Sequence, residues 1–220
     1  MTQQDNSIPS EPANLPVNNS TVSSDAKPPN RWKSAASTLG ILIAAPVIAL
    51  ILTAFVFQSY EVDGPSMETT LQNQDRLIVW KAPHTFGQIT GKTYIPERYD
   101  VIVFKKSGLS GPGNNEKQLI KRVIGLPGDR VVVNEGHITI YNAAHPDGYN
   151  PDSNQSFSAN IATLTTGNID ITVPNGEVFV CGDNRTNSQD SRSFGTIRAD
   201  DIVGKLTIRI FPVNKFKSFI

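Results

Sequence analysis

Between Ala35 and Tyr60 no side chain carries a charge, and residues 38–57, "TLGILIAAPVIALILTAFVF", form a run of 20 almost purely apolar positions. At about 1.5 Å of rise per residue, a helix of that length reaches ~30 Å, the thickness of a hydrocarbon core. A cleavable signal peptide would have a shorter apolar region, of about 7–15 residues, close to the N-terminus. Here the run follows a 33-residue tail of mostly polar composition. A buried helix of this character would need a much larger protein around it. The pattern predicts one transmembrane helix within residues 34–60. Pro46, in its middle, is tolerated because lipid-embedded helices repack around a proline kink.

The two flanks differ. Residues 1–33 are rich in Asn, Gln, Ser, Pro and Asp, cannot bury enough surface to offset the entropy of ordering, and are expected to be a disordered tail. Lys27, Arg31 and Lys33 cluster before the apolar run, against Glu61 and Asp63 after it. By the positive-inside rule the N-terminus is then cytoplasmic and everything from Glu61 onward is extracytoplasmic.

Beyond residue 60 the period changes. "RLIVWK" (76–81), "DVIVFKK" (100–106), "LIKRVIGL" (119–126), "DRVVVN" (129–134), "HITIYN" (137–142), "EVFVCG" (177–182) and "GKLTIRIF" (204–211) are short, β-branched and bounded by turn residues. "NEGH" marks a hairpin turning at Gly136. In the last run Leu206, Ile208 and Ile210 alternate with Lys205, Thr207 and Arg209, which predicts one buried and one wet face. No amphipathic helix of useful length is predicted after residue 60. Residues 143–173 turn rich in Asn, Ser, Thr and Asp and read as an inserted loop or small subdomain. The expected fold is all-β, a strongly coiled, barrel-like sheet with one inserted excursion, preceded by one transmembrane helix.

Composition narrows the chemistry. Lys+Arg and Asp+Glu are both 20, so the formal net charge is zero and no basic field suggests nucleic acid. A single cysteine, Cys181, rules out an intrachain disulfide. His84, His137 and His145 lie far apart without zinc-ligand spacing, so no metal and no cofactor is expected. None of the three suits a histidine-assisted hydrolase, which leaves lysine as the side chain able to act as a base once burial lowers its pKa.

Lys121 is the best placed. In "QLIKRVIGLPGD" a period of two sets Leu119, Lys121 and Val123 on one face and Ile120, Arg122 and Ile124 on the other. The alternative is that Lys121 snorkels to solvent, as strand lysines commonly do. Lys105 and Lys106 are adjacent, so one must face out, and Lys81 ends its strand. Ser66 in "DGPSMETTL" (63–71) follows Gly-Pro and is either a turn serine bonded to its own backbone or a nucleophile. "CGDNRTNSQDSRSFG" (181–195) is either a solvated loop or a hydrogen-bonded turn supporting a site.

"SMETTL", "YDVIVFK", "KRVIGLPGD" and "VPNGEVFVCGDNRTNSQDSRSFG", in this order after an N-terminal anchor, resemble bacterial type I signal peptidase (leader peptidase). The resemblance runs from about Val62 to Gly195, continues more weakly through the last strand, and rests chiefly on "KRVIGLPGD" together with the "GDNR" to "DSR" run. It implies a Ser/Lys-dyad endopeptidase in which Ser66 attacks the scissile carbonyl and Lys121 is general base and then general acid, through an acyl-enzyme. It further implies that the Ser66 backbone N–H serves the oxyanion hole, that the Ser188 hydroxyl orients the lysine, and that Asp190 and Arg192 brace the loop. Gly64 stands where some members carry a serine donor. Thr69 and Tyr99 depart from the family's usual proline and glycine.

The implied substrates are secretory preproteins cut after a small-x-small motif such as Ala-x-Ala. The implied setting is a plasma (inner) membrane with the catalytic domain touching the lipid bilayer, through Trp80 or the C-terminal "FPVNKFKSFI", unless that tail only covers the barrel end. The expected organisation is a tail (1–33), a transmembrane helix (34–60) and an extracytoplasmic peptidase domain (61–220) with an excursion at about 143–173, acting as a monomer. Two other readings use the same residues: a self-cleaving repressor-type Ser/Lys protease, for which residues 1–60 offer no helix-turn-helix, and a membrane-anchored β-rich binding module.

Overall fold

The computed structural model describes residues 31–108, 117–153 and 164–219. The expected tail therefore lies outside the described residues up to Asn30. Two compact units, 1–43 and 44–220, divide the chain. In the first, α1 (Arg31–Ile51) starts and then runs on into the second, where the helix ends in a π turn over Leu52–Val56. Leu39–Val56 is long and apolar enough to cross a membrane, and none of it is buried by the protein.

Among its described residues the second unit has twelve strands: β1 (Phe57–Glu61), β2 (Arg76–Trp80), β3 (Val101–Lys106), β4 (Lys117–Gly125), β5 (Arg130–Asn134), β6 (His137–Asn142), β7 (His145–Tyr149), β8 (Ile169–Thr172), β9 (Glu177–Cys181), β10 (Ile197–Arg198), β11 (Ile202–Phe211) and β12 (Lys217–Ser218). Antiparallel pairing orders the larger sheet β1-β2-β11-β3-β4-β9-β10, with β12 beside β11, and the smaller sheet β7-β6-β5-β8. The chain is thus mostly β with few helices. Its larger sheet ends on β1 and β10, which do not pair among the described residues, so no closed barrel is found. Residues 145–149 and 169–172, inside the expected excursion, are strands of the smaller sheet. That sheet begins with the hairpin β5–β6, where Glu135 (φ 51°) and Gly136 (φ 81°) make a two-residue turn of the left-handed kind.

Two local readings of the sequence fail for physical reasons. Residues 82–90 form a helix, α2 (Ala82–Thr90), where none is predicted. Pro83 lies in its first turn, where a missing N–H costs nothing, and Gly91 closes it at φ 69°. Nine residues are too few for periodicity to stand out. In β11 the alternation is interrupted by register shifts against β2 after Leu206 and Arg209. Each bulge turns the following side chains to the other face. Leu206 is buried as predicted, but Ile210 is exposed and Arg209 is buried instead. Arg209 is accommodated by Asp75 (3.0 Å) and the Thr70 carbonyl (3.0 Å).

Three apolar clusters form the core, one of which matters most for the site. Met67 and Leu71, which follow Ser66, are fully buried beside Val62, which precedes it, and beside Leu77, Val101 and Leu206. The turn that carries Ser66 is therefore clamped by its own flanking side chains.

Candidate active site

Ser66 and Lys121 are 55 residues apart in sequence, and the fold brings them into contact: Lys121 Nζ donates to Ser66 Oγ at 2.7 Å. A second Nζ bond, 2.9 Å, goes to the carbonyl of Ile120. Lys121 sits mid-β4, opposite Ile102 of β3, and is 3% exposed. Burial lowers its pKa from the ordinary lysine value to about 8, with the nearby Lys117 ammonium acting in the same direction and Asp190 and Asp183 opposing it. The lysine is thus not a snorkelling one. The pair opens into a cavity of ≈ 260 Å³ lined by the 60–66 segment, Leu77, Val103, residues 117–121 and Gln189.

The Ser66 turn is tied to the 181–195 loop by its backbone. Asn184 N–H donates to the Ser66 carbonyl at 3.1 Å, and Asn184 Nδ2 donates to the Pro65 carbonyl at 3.2 Å. The second bond fixes the plane of the Pro65–Ser66 peptide, whose N–H makes no hydrogen bond among the described residues. Gly182 permits this approach, since a Cβ there would collide with Ser66 O and Ser188 Oγ. Gly64 has φ 98°, in the region that favours glycine, which explains why no side-chain donor stands there.

Beneath the turn lies a buried ionic network that the sequence does not advertise. Arg122 grips Asp183 through Nε (2.8 Å) and Nη2 (2.6 Å), and Thr70 Oγ1 donates to the same carboxylate. Arg122 Nη1 also donates to the Tyr99 carbonyl at 2.8 Å. Tyr99 adopts φ 74°, which accounts for the glycine usual at that position in the family it resembles. Arg185, with no exposed surface, pairs with Asp152 and donates to the Thr165 hydroxyl oxygen at 2.9 Å. Breaking such a pair from one side leaves a buried charge uncompensated, at a cost of about 3–5 kcal/mol. Asp183→Ala is expected to lower stability by that order in denaturant unfolding of the detergent-solubilised chain, whereas Asp170→Ala, whose pair with Arg130 is half exposed, should change it little.

The remaining predicted residues occupy the same loop. Asp190 caps α3 (Ser191–Phe194) and takes Arg192 through Nε (2.8 Å) and Nη2 (2.7 Å), while its Oδ2 accepts the Gly182 N–H at 2.9 Å. Burial works to raise the Asp190 carboxyl, but the Arg192 bond and charge outweigh it and hold the group below the usual carboxylate range. Ser188 Oγ is close enough to Asp190 to help in that, yet it is buried and makes no hydrogen bond of acceptable geometry among the described residues, to Lys121 or to any other group. Cys181 is buried, which pushes its thiol far up and leaves it unreactive. Among the described residues no group of three His, Cys, Asp or Glu could hold a metal ion.

Comparison with known proteins bears on this arrangement. The family model described as "Signal peptidase, peptidase S26" matches residues 35–211. The chain belongs to the S26 signal peptidase family. It is 35% identical over 178 residues to signal peptidase I of Bacillus caldolyticus, covering 79% of this chain and 90% of that one. It is 30% identical over 199 residues to a probable signal peptidase I-2 of Synechocystis sp., covering 90% and 82%. A solved signal peptidase I from Enterococcus faecalis is 30% identical over 53% of this S26 chain and 100% of its own, with a TM-score of 0.38.

Proposed function

We propose that this S26 peptidase is a membrane-bound endopeptidase that removes N-terminal signal peptides from secreted preproteins, cutting after a small-x-small motif of the Ala-x-Ala kind. The observation that carries the reading is the 2.7 Å hydrogen bond between Lys121 Nζ and Ser66 Oγ inside an open cleft. Neutral Lys121 accepts the Ser66 proton as Oγ attacks the scissile carbonyl carbon. The resulting ammonium returns the proton to the leaving amine, and an ester joins Ser66 to the signal-peptide end. Water, deprotonated by the same amine, then hydrolyses the ester and restores the serine. The Ser66 N–H is the backbone donor to the developing oxyanion, a kind of contact often worth ~3 kcal/mol of barrier.

The supporting roles follow from position. Asp190 and Arg192 brace the loop whose Gln189 lines the same cavity as Lys121, and the Ser188 hydroxyl, close to Asp190, is the group available to orient the amine. The organisation that fits is a cytoplasmic tail (1–33), one transmembrane segment (34–60) in the plasma membrane, and an extracytoplasmic peptidase domain (61–220) working as a monomer. The test is cleavage of a preprotein with an Ala-x-Ala site by wild type and by the Ser66→Ala and Lys121→Met variants. Retention of wild-type rate by either would remove the dyad.

Asn184 is a positioning residue in this scheme. A donor on the Pro65 carbonyl polarises the same peptide whose N–H meets the oxyanion, so the two bonds reinforce one another. Asn184→Leu nearly keeps the shape and removes the side-chain donor without adding a charge. It is expected to lower kcat about tenfold or more, with KM and the apparent pKa of the pH profile unchanged. A loss confined to KM, or a shifted pKa, would assign Asn184 to loop packing instead.

A further inference from the structure

The end of the apolar helix does not pass into a free linker. Its last carbonyls, which have no partner within the helix, are taken up in series by one segment of the β domain. Lys81 Nζ donates to Ala54 O at 2.8 Å, Thr85 Oγ1 to Phe55 O at 3.2 Å, and Lys81 N–H to Val56 O at 2.7 Å. Lys81 precedes α2, so α2 is fastened beside the helix end. From α2 project Phe86, 67% exposed, and Ile89, 77% exposed, one turn apart and on one side. Phe55, Phe57 and Trp80 extend the apolar surface from α2 to the helix end, Trp80 lying opposite Phe57 in the β1–β2 pair. No Asp, Glu, Lys or Arg lies within residues 82–90, and Lys81 and Lys92 bracket them.

We propose that α2 is an interfacial helix, seated with Phe86 and Ile89 in the headgroup–acyl boundary of the bilayer that the apolar helix crosses. The inference rests on the membrane-bound reading above and names the surface that meets lipid. Continuity identifies the occupant: the patch begins on residues of the apolar helix itself, so whatever solvates Leu52 and Phe55 also reaches Phe86. The flanking lysines have the placement of groups that keep their charge in the interface while their stems lie along apolar surface.

The same strand register separates α2 from the other apolar surface. β2 joins Trp80, beside Phe57, to Arg76, opposite Glu61 and Phe211. Four strand steps of about 3.3 Å set these ends ~13 Å apart. The exposed tail residues Phe211, Val213 and Phe216 lie at the Arg76 end. Part of that tail is moreover held to the domain, with Phe219 packed on the core and Lys215 Nζ bonded to Gln72 Oε1. We accordingly take α2, and not the tail, as the lipid-facing surface.

Ile89 and Val213 are both 77% exposed, which makes them a matched pair for a test. The full chain, carrying a bimane label through Ile89→Cys or through Val213→Cys, is reconstituted in phosphatidylcholine–phosphatidylglycerol vesicles containing shallow doxyl lipids. Position 89 should be quenched and position 213 should not. An unquenched position 89, as when a second copy or another protein covers α2, overturns the proposal, and so does equal quenching at both positions. A second measurement uses Phe86→Asp/Ile89→Asp. Cleavage of a preprotein in vesicles should fall about tenfold as the apolar contact is lost, while cleavage of a soluble peptide in detergent stays unchanged. Equal rates in vesicles would count against the interfacial role. Quenching needs no catalysis, so failure of the dyad and failure of this surface are read separately.

Discussion

Replacing Lys121 by methionine is expected to lower kcat/KM for a preprotein by about 10⁴-fold or more, with Ser66→Ala showing a loss of the same order. Methionine nearly preserves the volume of the lysine stem and its contacts while removing the amine. Ser66 then keeps its place but has no base within reach, because Lys121 Nζ is the group bonded to Ser66 Oγ and, among the described residues, no histidine lines the cavity. The double variant should be little worse than either single one, since the two side chains act as a unit. Additive losses, measured by single-turnover cleavage of one preprotein, would mean that Ser66 and Lys121 contribute through separate steps and not through one proton transfer.

Of this site, residue pattern alone singles out Lys121, and the parts that it does not reach share a cause. The alternation around Lys121 placed it between Leu119 and Val123, and the structure buries it on that basis. Its contact with Ser66 came from the resemblance, because nothing local relates two residues 55 positions apart. Asn184 and Gly182 stood in the quoted loop, yet their effect depends on how closely that loop approaches the Pro65–Ser66 peptide, which is a tertiary fact. Arg122 was assigned only to a strand face. Its partners Asp183 and Thr70 are 61 and 52 residues away, so composition offers no sign that the arginine is buried. The bulges in β11 belong to the same class: they arise from pairing with β2, and they reverse a hydrophobic alternation that looked regular in sequence. Tyr99 was visible only as a departure from a glycine, and its positive φ supplies the physical reason for that glycine.

Removing Lys121 should change activity and stability in opposite directions, and should abolish the pH dependence that a buried amine gives to each. With its pKa lowered to about 8, the neutral base is a small fraction of the enzyme at pH 6. Below pH 8 kcat/KM should therefore rise about tenfold per pH unit, levelling off above pH ~9. A flat profile between these limits, with chemistry rate-limiting, would exclude a titrating lysine base. The same displacement is a folding term. Below about pH 8 the amine is protonated in both states, and the native state bears the full cost of burying an ammonium. Between about 8 and the ordinary lysine value of 10.5 the unfolded chain holds a proton that the native chain has released, so stability rises with pH. The total rise is up to about 3 kcal/mol. Lys121→Met has no such group and should lack that slope. It should be more stable than wild type at pH 7, by about 2 kcal/mol once the lost bonds to Ser66 Oγ and the Ile120 carbonyl are counted. The gap should then close as pH approaches 10.5. Denaturant unfolding of both proteins in detergent at three pH values checks this. A variant less stable than wild type at pH 7 would show that the amine is held without strain on the fold, and that its reactivity must come from something other than burial.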